Sequence, residues 1–383
     1  MKIGIDARML GPSFGIGRYI EQLIAYLEQI DTVNQYFIFL RSENWDTYNP
    51  KAGNFQKVKV DIPWYSFQEQ LILPSVIRKQ NLDLMHFPHF NVPILYRGPF
   101  VVTIHDLIMF HYPRAEATTL GPVIFWMKDK IHRFVVRRAV KKSHCIITTS
   151  QFTLHDIVKT LGVSKEKIVV TYQAPFELRD REQETREREQ ESKKEEKMLK
   201  TYNINKPYIL YVGAAYPHKN LEKLVEAWKM FEEKYGKNYQ LVLVGKEDYF
   251  YKRLKSTINH HQSVVFTGFV DDETLIGLYE NAHLYVFPSL YEGFGLPPLE
   301  AMSCGTPVVS SNASCLPEIL GEAAMYFDPE NVEQIADVMY GVLSNKDIQM
   351  ELHENARQHL KQFSWNKLAR ETLEIYEKTS DKH

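Results

Sequence analysis

The sequence predicts an α/β protein of two doubly wound domains, each built on a mainly parallel sheet. Three observations carry this. Strand-like apolar segments alternate with helical patterns almost from end to end, the pattern of a doubly wound fold. The alternation breaks once, at a charged run over residues 179–200, and then restarts. With 383 residues, 44% of them hydrophobic and 13% aromatic, the chain exceeds one ordinary core and has the material for two. The expected division is a first domain over 1–178, a charged linker over 179–200, a second domain over 201–362 and a terminal amphipathic helix over 363–383.

In the first half, strands are expected near Lys2 to Asp6, Tyr36 to Leu40, Lys57 to Val60, Leu84 to Phe87, Phe100 to Ile104, Cys145 to Thr149 and Ile168 to Tyr172. In the second they are expected near Tyr208 to Val212, Gln240 to Val244, Val264 to Thr267, Leu284 to Phe287 and Thr306 to Val309. The linker carries 8 bases and 8 acids with almost no apolar residue before Met198, so it reads as a solvated, partly helical connection without chemistry. Residues 1–178 carry 21 Lys and Arg against 15 Asp and Glu, and residues 201–383 carry 17 against 25, so the halves favour different surroundings. No apolar run approaches the roughly 18 residues of a membrane span, and the N-terminus enters a strand directly, so the chain is expected in the cytoplasm. Cys145, Cys304 and Cys315 lack metal-ligand spacing and read as free thiols.

Four places carry candidate chemistry. The first loop, Leu10 to Arg18, joins a strand to a helix through Gly15 and Gly17, a phosphate-cradle geometry that ligand-free turns also use. The strand Phe100 to Ile104 runs into His105 and Asp106 at its carboxyl end, where open α/β sheets collect ligands. Tyr211 to Leu221 again reads strand, glycine loop and helix, with His218 and Lys219 in the loop. The longest run, Phe287 to Ser311, reads as a buried strand, a loop with Gly293 and Gly295, a short helix opened by Pro297 and Pro298 and closed by Gly305, and another strand. A helix N-terminus with glycines ahead of it suits an anion, and Glu292 and Glu300 can edge one cleft there. Taken alone, the pair also fits a solvated loop acid and a helix-surface acid.

A fifth stretch, Trp126 to Lys142, sets Lys130, Arg133, Arg137 and Lys141 on one helical face, with Arg138 beside them, and Met127, Ile131, Phe134 and Val135 on another. One reading is an amphipathic helix packed on its sheet with a solvated basic face. The other is a contact with an anionic membrane surface or a phosphorylated acceptor.

The run from Phe287 to Ser311 resembles the Glu-x7-Glu motif of the retaining glycosyltransferases of family four, which have the GT-B fold of two Rossmann-like domains facing across a cleft. The resemblance implies that the domain over 1–178 binds the acceptor and the domain over 201–362 the nucleotide sugar. It further implies that Glu292 contacts the donor sugar, that the backbone of Gly293, Phe294, Gly295 and Leu296 holds the diphosphate, and that Glu300 binds the ribose hydroxyls. It places Gly15 and Gly17 over the donor phosphates with Arg18 in reserve, His105 next to the donor sugar, and Lys219, supported by His218, on the diphosphate. Most relatives have an Arg where this chain has Ala214. The nucleobase is expected near Phe269 and Val270, and the terminal helix is expected to cross back to the first domain.

His105, Glu292 and Lys219 are the expected catalytic residues, with no cofactor, no metal and no nucleic-acid partner. The expected activity is retaining transfer of a hexose to a glycan or lipid-linked acceptor, peripheral to the inner face of a membrane. The segments Gly4 to Arg8, Gly15 to Tyr19 and Ala215 to Asn220 look most like bacterial mannosyltransferases of cell-surface polysaccharide assembly, which favours GDP-mannose over UDP-glucose or another nucleotide hexose. A sugar-nucleotide epimerase and a non-catalytic sugar-nucleotide-binding scaffold remain as other classes, the latter supported by Ala214.

Overall fold

The computed structural model describes residues 1–11, 15–113, 122–176, 197–205, 207–258 and 261–380, so residues 12–14 of the first glycine loop and all but 197–200 of the predicted linker lie outside the described residues. The chain forms two compact units, Met1–Gln173 together with Phe363–His383, and Ala174–Gln362. Among the described residues no helix is long and apolar enough to cross a membrane.

Unit 1 holds β1 (Lys2–Asp6), β2 (Gln35–Leu40), β3 (Phe55–Lys59), β4 (Leu84–Phe87), β5 (Phe100–Ile104), β6 (Cys145–Thr148) and β7 (Ile168–Val170). They pair in parallel in the order β3-β2-β1-β4-β5-β6-β7, with Ile3 opposite Tyr36 on one side and Leu84 on the other. Every residue of β4 and β5 is buried, as near-continuous apolar strands must be when helices cover both faces of the sheet. The strand order reverses between β1 and β4. In open α/β sheets that reversal opens a crevice beyond the carboxyl ends of the strands.

The helix Trp365–Ser380 belongs to this unit and packs on the helix Ile16–Ile30. A buried polar chain secures it. The Tyr376 hydroxyl lies 2.6 Å from His86 Nδ1, His86 Nε2 lies 2.8 Å from Thr103 Oγ1, and Thr103 in turn meets the Tyr19 hydroxyl at 3.2 Å. Burial pushes the His86 imidazole down to about 3, so this chain runs through a neutral ring.

The helix Pro122–Lys142 departs from its expected packing. Val135, Val136, Ala139 and Val140 are buried, whereas Met127, Ile131 and Phe134 are 52%, 56% and 56% exposed, joined by Val123, Ile124 and Trp126. Only the second half of the helix lies on its sheet. Two of the bases also turn inward: Arg133 Nε donates to Asp129 Oδ2 at 2.7 Å and Arg138 Nε to the Ile94 carbonyl at 2.9 Å. Lys130, Arg137 and Lys141 remain on the exposed face.

Unit 2 repeats the plan with β8 (Tyr208–Val212), β9 (Gln240–Val244), β10 (Val264–Gly268), β11 (Leu284–Phe287), β12 (Val308–Ser311) and β13 (Ala324–Phe327), parallel in the order β10-β9-β8-β11-β12-β13. Its order reverses between β8 and β11. β12 starts two residues later than the sequence suggests, because the Thr306 N–H closes the preceding helix on the Ala301 carbonyl and Pro307 has no N–H for a ladder. The edge strand β13 was not expected at all. It is four residues long and, among the described residues, pairs with β12 alone.

Candidate active site

In unit 2 the loops that follow β8 and β11 meet at the point where the strand order reverses, and each brings one charged side chain. After β8 the chain makes a single turn over Pro217–Lys219 and passes through Asn220 in the left-handed region, φ 60°, to start the helix Leu221–Tyr235. After β11 it passes Pro288 and Ser289 to Glu292. Lys219 Nζ lies 2.6 Å from Glu292 Oε1, with the ammonium 5.4 Å from the centre of the Phe287 ring.

Backbone bonds lock the two loops together. The Leu290 N–H donates to the His218 carbonyl at 2.7 Å, and Asn220 Nδ2 donates to the Pro288 and Pro329 carbonyls at 3.2 and 2.8 Å. The Glu292 N–H is held by Ser314 Oγ at 3.0 Å. The ion pair thus sits on a rigid frame, yet Lys219 keeps 17% of its side chain exposed and Glu292 9%.

Gly295 caps the helix Leu296–Ser303 at φ 97°, a left-handed conformation that favours glycine, and a Cβ there would have to displace the Leu316 Cδ2 methyl 2.9 Å away. Pro297 and Pro298 occupy the first turn and have no N–H. Donors for an anion at this end therefore come from the loop ahead of the helix and from Leu296. Glu300, one turn further, is 3% exposed and accepts from the Tyr279 hydroxyl at 3.2 Å. The Tyr285 phenol is driven well up by burial, and both Glu300 and Glu292 add to that, so one ring feels both carboxylates.

The other predicted donor residues in unit 2 divide. His218 is buried at the loop junction, its ring 5.9 Å from that of Tyr216. Phe269 is 57% exposed just past β10, whereas Val270 is 3% exposed and its side chain belongs to the core. Sequence reasoning missed two tyrosines. The Tyr211 hydroxyl donates to the Ala214 carbonyl and the Tyr251 hydroxyl to the Gly213 carbonyl, each at 2.8 Å. They pin the loop at the position where Ala214 stands, and nothing in local spacing marks them.

In unit 1, His105 is held by its own neighbours. Nε2 lies 2.9 Å from the Pro88 carbonyl, which can only accept, so that nitrogen carries the proton and donates. Gln173 Nε2 then donates to Nδ1 at 3.4 Å, and the Tyr19 ring meets the imidazole edge-on at 4.8 Å. Burial lowers its pKa to about 4 against a smaller opposing effect of the Pro88 carbonyl, so the ring is neutral at ordinary pH. Gly15 starts the helix Ile16–Ile30 at φ 84°. Gly17 is needed for a close approach, because a Cβ would lie 2.6 Å from the Gly11 carbonyl oxygen.

A second ion cluster in unit 1 also escaped prediction. Arg8 Nε and Nη2 bind Asp6 at 2.8 and 2.7 Å, Nη2 also reaches Glu69 Oε1 at 2.6 Å, and Nη1 donates to the Ile62 carbonyl at 3.1 Å. Burial acts to lower the Arg8 pKa, but Asp6 and Glu69 more than offset it and keep the guanidinium charged. Glu69 Oε2 takes further bonds from Asn91 Nδ2 at 2.6 Å and the Tyr65 N–H at 2.9 Å. Asp6 and Arg8 stand two residues apart at a strand end, a visible pair, but Glu69 joins them from 61 residues away.

Residues 192–359 match the family model described as "Glycosyl transferases group 1", and residues 15–174 match "Glycosyltransferase Family 4". The chain is 27% identical over 383 residues to "O-antigen chain mannosyltransferase B" of Escherichia coli, covering 95% of this chain and 96% of that protein. It is 27% identical over 291 residues to "O-antigen chain mannosyltransferase RfbU" of Salmonella typhimurium, 72% of each chain. The solved structure of a sucrose-phosphate synthase from Thermosynechococcus elongatus superposes with a TM-score of 0.73 over 100% of both chains at 19% identity, a likeness of fold.

Proposed function

Because the chain belongs to the group 1 glycosyltransferases of family four, we propose that it moves a hexose from a nucleotide sugar to a hydroxyl of a glycan or lipid-linked acceptor, with retention at the anomeric carbon. The observation that carries the proposal is the Lys219–Glu292 pair at the strand-order reversal of unit 2, beside the Gly293 to Leu296 loop. Lys219 exchanges Glu292 for a diphosphate oxygen when donor binds, and the freed carboxylate accepts from a sugar hydroxyl. The glycine loop at Gly15 and Gly17 serves the phosphates, Glu300 the ribose, Phe269 the base, and His105 orients the sugar through its neutral ring.

In the transfer the bond from the anomeric carbon to the leaving phosphate oxygen breaks, and the bond to the acceptor oxygen forms on the same face. The acceptor proton passes to the leaving phosphate. No protein base is required, and the ammonium and loop N–H groups stabilise the departing charge without a metal. Transfer that survives excess EDTA supports this, and loss restored by a divalent cation rejects it.

Mannose from GDP-mannose is the favoured donor, and cell-surface polysaccharide or glycolipid assembly the favoured setting, on the likeness to the O-antigen mannosyltransferases. A panel of nucleoside diphosphates and their sugars in thermal shift and calorimetry tests it, since ligand raises stability by mass action. Selective stabilisation by GDP and GDP-mannose, lost in Glu300→Ala and Lys219→Ala, is expected. Binding of no nucleotide rejects the transferase reading in favour of a scaffold, and isomerisation of a nucleotide sugar alone would make it an epimerase.

A lipid-linked acceptor is met at the inner face of a membrane through the helix Pro122–Lys142. The exposed Val123, Ile124, Trp126, Met127, Ile131 and Phe134 beside Lys130, Arg137 and Lys141 make an apolar stripe edged with bases, which suits an anionic bilayer surface. At about 1 kcal/mol per base, reversing two charges in Arg137→Glu, Lys141→Glu weakens binding to phosphatidylglycerol vesicles at least ~10-fold. Salt-insensitive binding, or equal binding by the variant, removes the membrane role.

A further inference from the structure

Two buried phenols grip the loop that leads from β8 to Lys219. Tyr211 stands near the carboxyl end of β8 and Tyr251 in the helix Tyr249–Thr257, and both are buried. A phenol in the core must find an acceptor for its proton. The Tyr211 hydroxyl donates to the Ala214 carbonyl at 2.8 Å, and the Tyr251 hydroxyl lies 2.8 Å from the Gly213 carbonyl oxygen and 3.2 Å from that of Val244. Burial drives the Tyr211 phenol well up, with Tyr251, Tyr285 and Glu292 adding to it, and burial raises Tyr251 as well, so both keep the proton they donate. The neighbouring backbone leaves them room. A Cβ at Gly245 would come 2.2 Å from the Gly213 carbonyl oxygen and 2.6 Å from the Tyr251 hydroxyl.

In a trans peptide the carbonyl and the N–H point opposite ways. The N–H groups that share the two gripped peptides are those of Ala214 and Ala215, so they point away from the buried phenols. Both residues keep part of their surface open, and among the described residues neither N–H has a hydrogen-bond partner. They stand beside the ion pair of this unit: the Tyr211 ring stacks on that of Phe287 at 6.3 Å, and the Lys219 ammonium lies 5.4 Å from the centre of the same Phe287 ring. Lys219 carries a single positive charge, whereas a diphosphate carries more than one negative charge. N–H groups that donate to such an anion make bonds roughly twice as strong as those to a neutral acceptor.

We propose that Tyr211 and Tyr251 are positioning residues for the donor: by drawing the carbonyls of Gly213 and Ala214 into the unit, they aim the N–H groups of Ala214 and Ala215 at an oxygen of a nucleoside diphosphate held by Lys219. This rests on the transferase reading, which supplies the diphosphate. The two phenols touch no ligand and act only through the loop.

The test is calorimetry of the full chain with GDP, or with UDP where that is the diphosphate the wild type binds, together with alanine-selective amide NMR in which Ala214→Gly and Ala215→Gly assign the two signals. In the wild type both amide protons move downfield on saturation, as N–H groups donating to phosphate do. Tyr211→Phe and Tyr251→Phe keep the rings and remove the hydroxyls. Each weakens binding of the diphosphate about fivefold to tenfold and shrinks the amide shifts.

Lower thermal stability in both variants with unchanged affinity and unchanged shifts means that the phenols serve the fold alone, and overturns the proposal. So does a wild type that binds the diphosphate without moving either amide, a result that needs no variant to fold and leaves the transferase reading in place. A wild type that binds no nucleoside diphosphate overturns the transferase reading and this role with it.

Discussion

Unit 1 and unit 2 place an ion pair at the same point of the same topology, beside the reversal of strand order, and bury it to different depths. Arg8 is 3% exposed and is held by two carboxylates and a carbonyl, while Lys219 is 17% exposed and faces Glu292. A guanidinium tied on several sides in a dry site cannot release its partners without leaving buried charge behind. An ammonium at the rim of a loop can exchange a carboxylate for an incoming anion. The first arrangement holds a fold together, and the second is suited to turnover.

The contrast predicts that the two cations fail differently when removed. Arg8→Leu leaves Asp6 and Glu69 facing each other and is expected to cost about 3–5 kcal/mol in chemical denaturation. A loss under about 1 kcal/mol would mean the cluster is not structural. Lys219→Ala is expected to lower kcat about 10²–10³-fold by removing charge stabilisation of the leaving diphosphate. An unchanged kcat would place the diphosphate elsewhere.

Acid sharpens the comparison, because unit 1 contains His86 and His105, lowered to about 3 and about 4 from an ordinary value of 6.5, chiefly by burial. Their folded-state values lie below the unfolded one, so the unfolded chain binds more protons in between. Stability is full above about pH 6.5 and falls as pH drops toward 4, by about 1.4 kcal/mol per pH unit for each ring. Urea unfolding of the native chain at about pH 7.5 and about pH 5 reads this. His86→Asn should remove about 1.4 kcal/mol per pH unit of the slope, the remainder coming from His105 and from His89 and His132, which burial also lowers.

The smallest effect expected is that of Tyr376→Phe, which removes the hydroxyl at His86 Nδ1 and should cost about 1–2 kcal/mol. No change would show that the terminal helix is held by its apolar face alone.

Much of this molecule is legible in the chain because parallel strands buried on both faces write themselves as short apolar runs. Twelve of the thirteen strands among the described residues were expected within a few residues. β13 was not, because an edge strand with Met325 and Tyr326 partly exposed has no such run. Phe287 to Ser311 could be recognised as one loop and helix, and Lys219 as a loop cation. Their meeting at 2.6 Å depends on two loops 73 residues apart arriving at one reversal of strand order.

Contacts between distant strangers are less visible still. His86 and Tyr376 are 290 residues apart, and neither stands in a motif. The apolar positions of Pro122–Lys142 show the opposite failure: their helical spacing is real, but spacing says only that residues share a face, not what covers it.

The return of the chain to unit 1 at Phe363 has a consequence for synthesis. Domains ordinarily fold in the order in which they leave the ribosome, the N-terminal one first. Here all of Ala174–Gln362 is made before the helix that closes the earlier unit exists. Until then the helix Ile16–Ile30 lacks the cover of the helix Trp365–Ser380, and His86 lacks its phenol. The unit that begins first is completed last, so a nascent chain stalled before Trp365 carries a finished second unit and an open first one, the form a chaperone would meet.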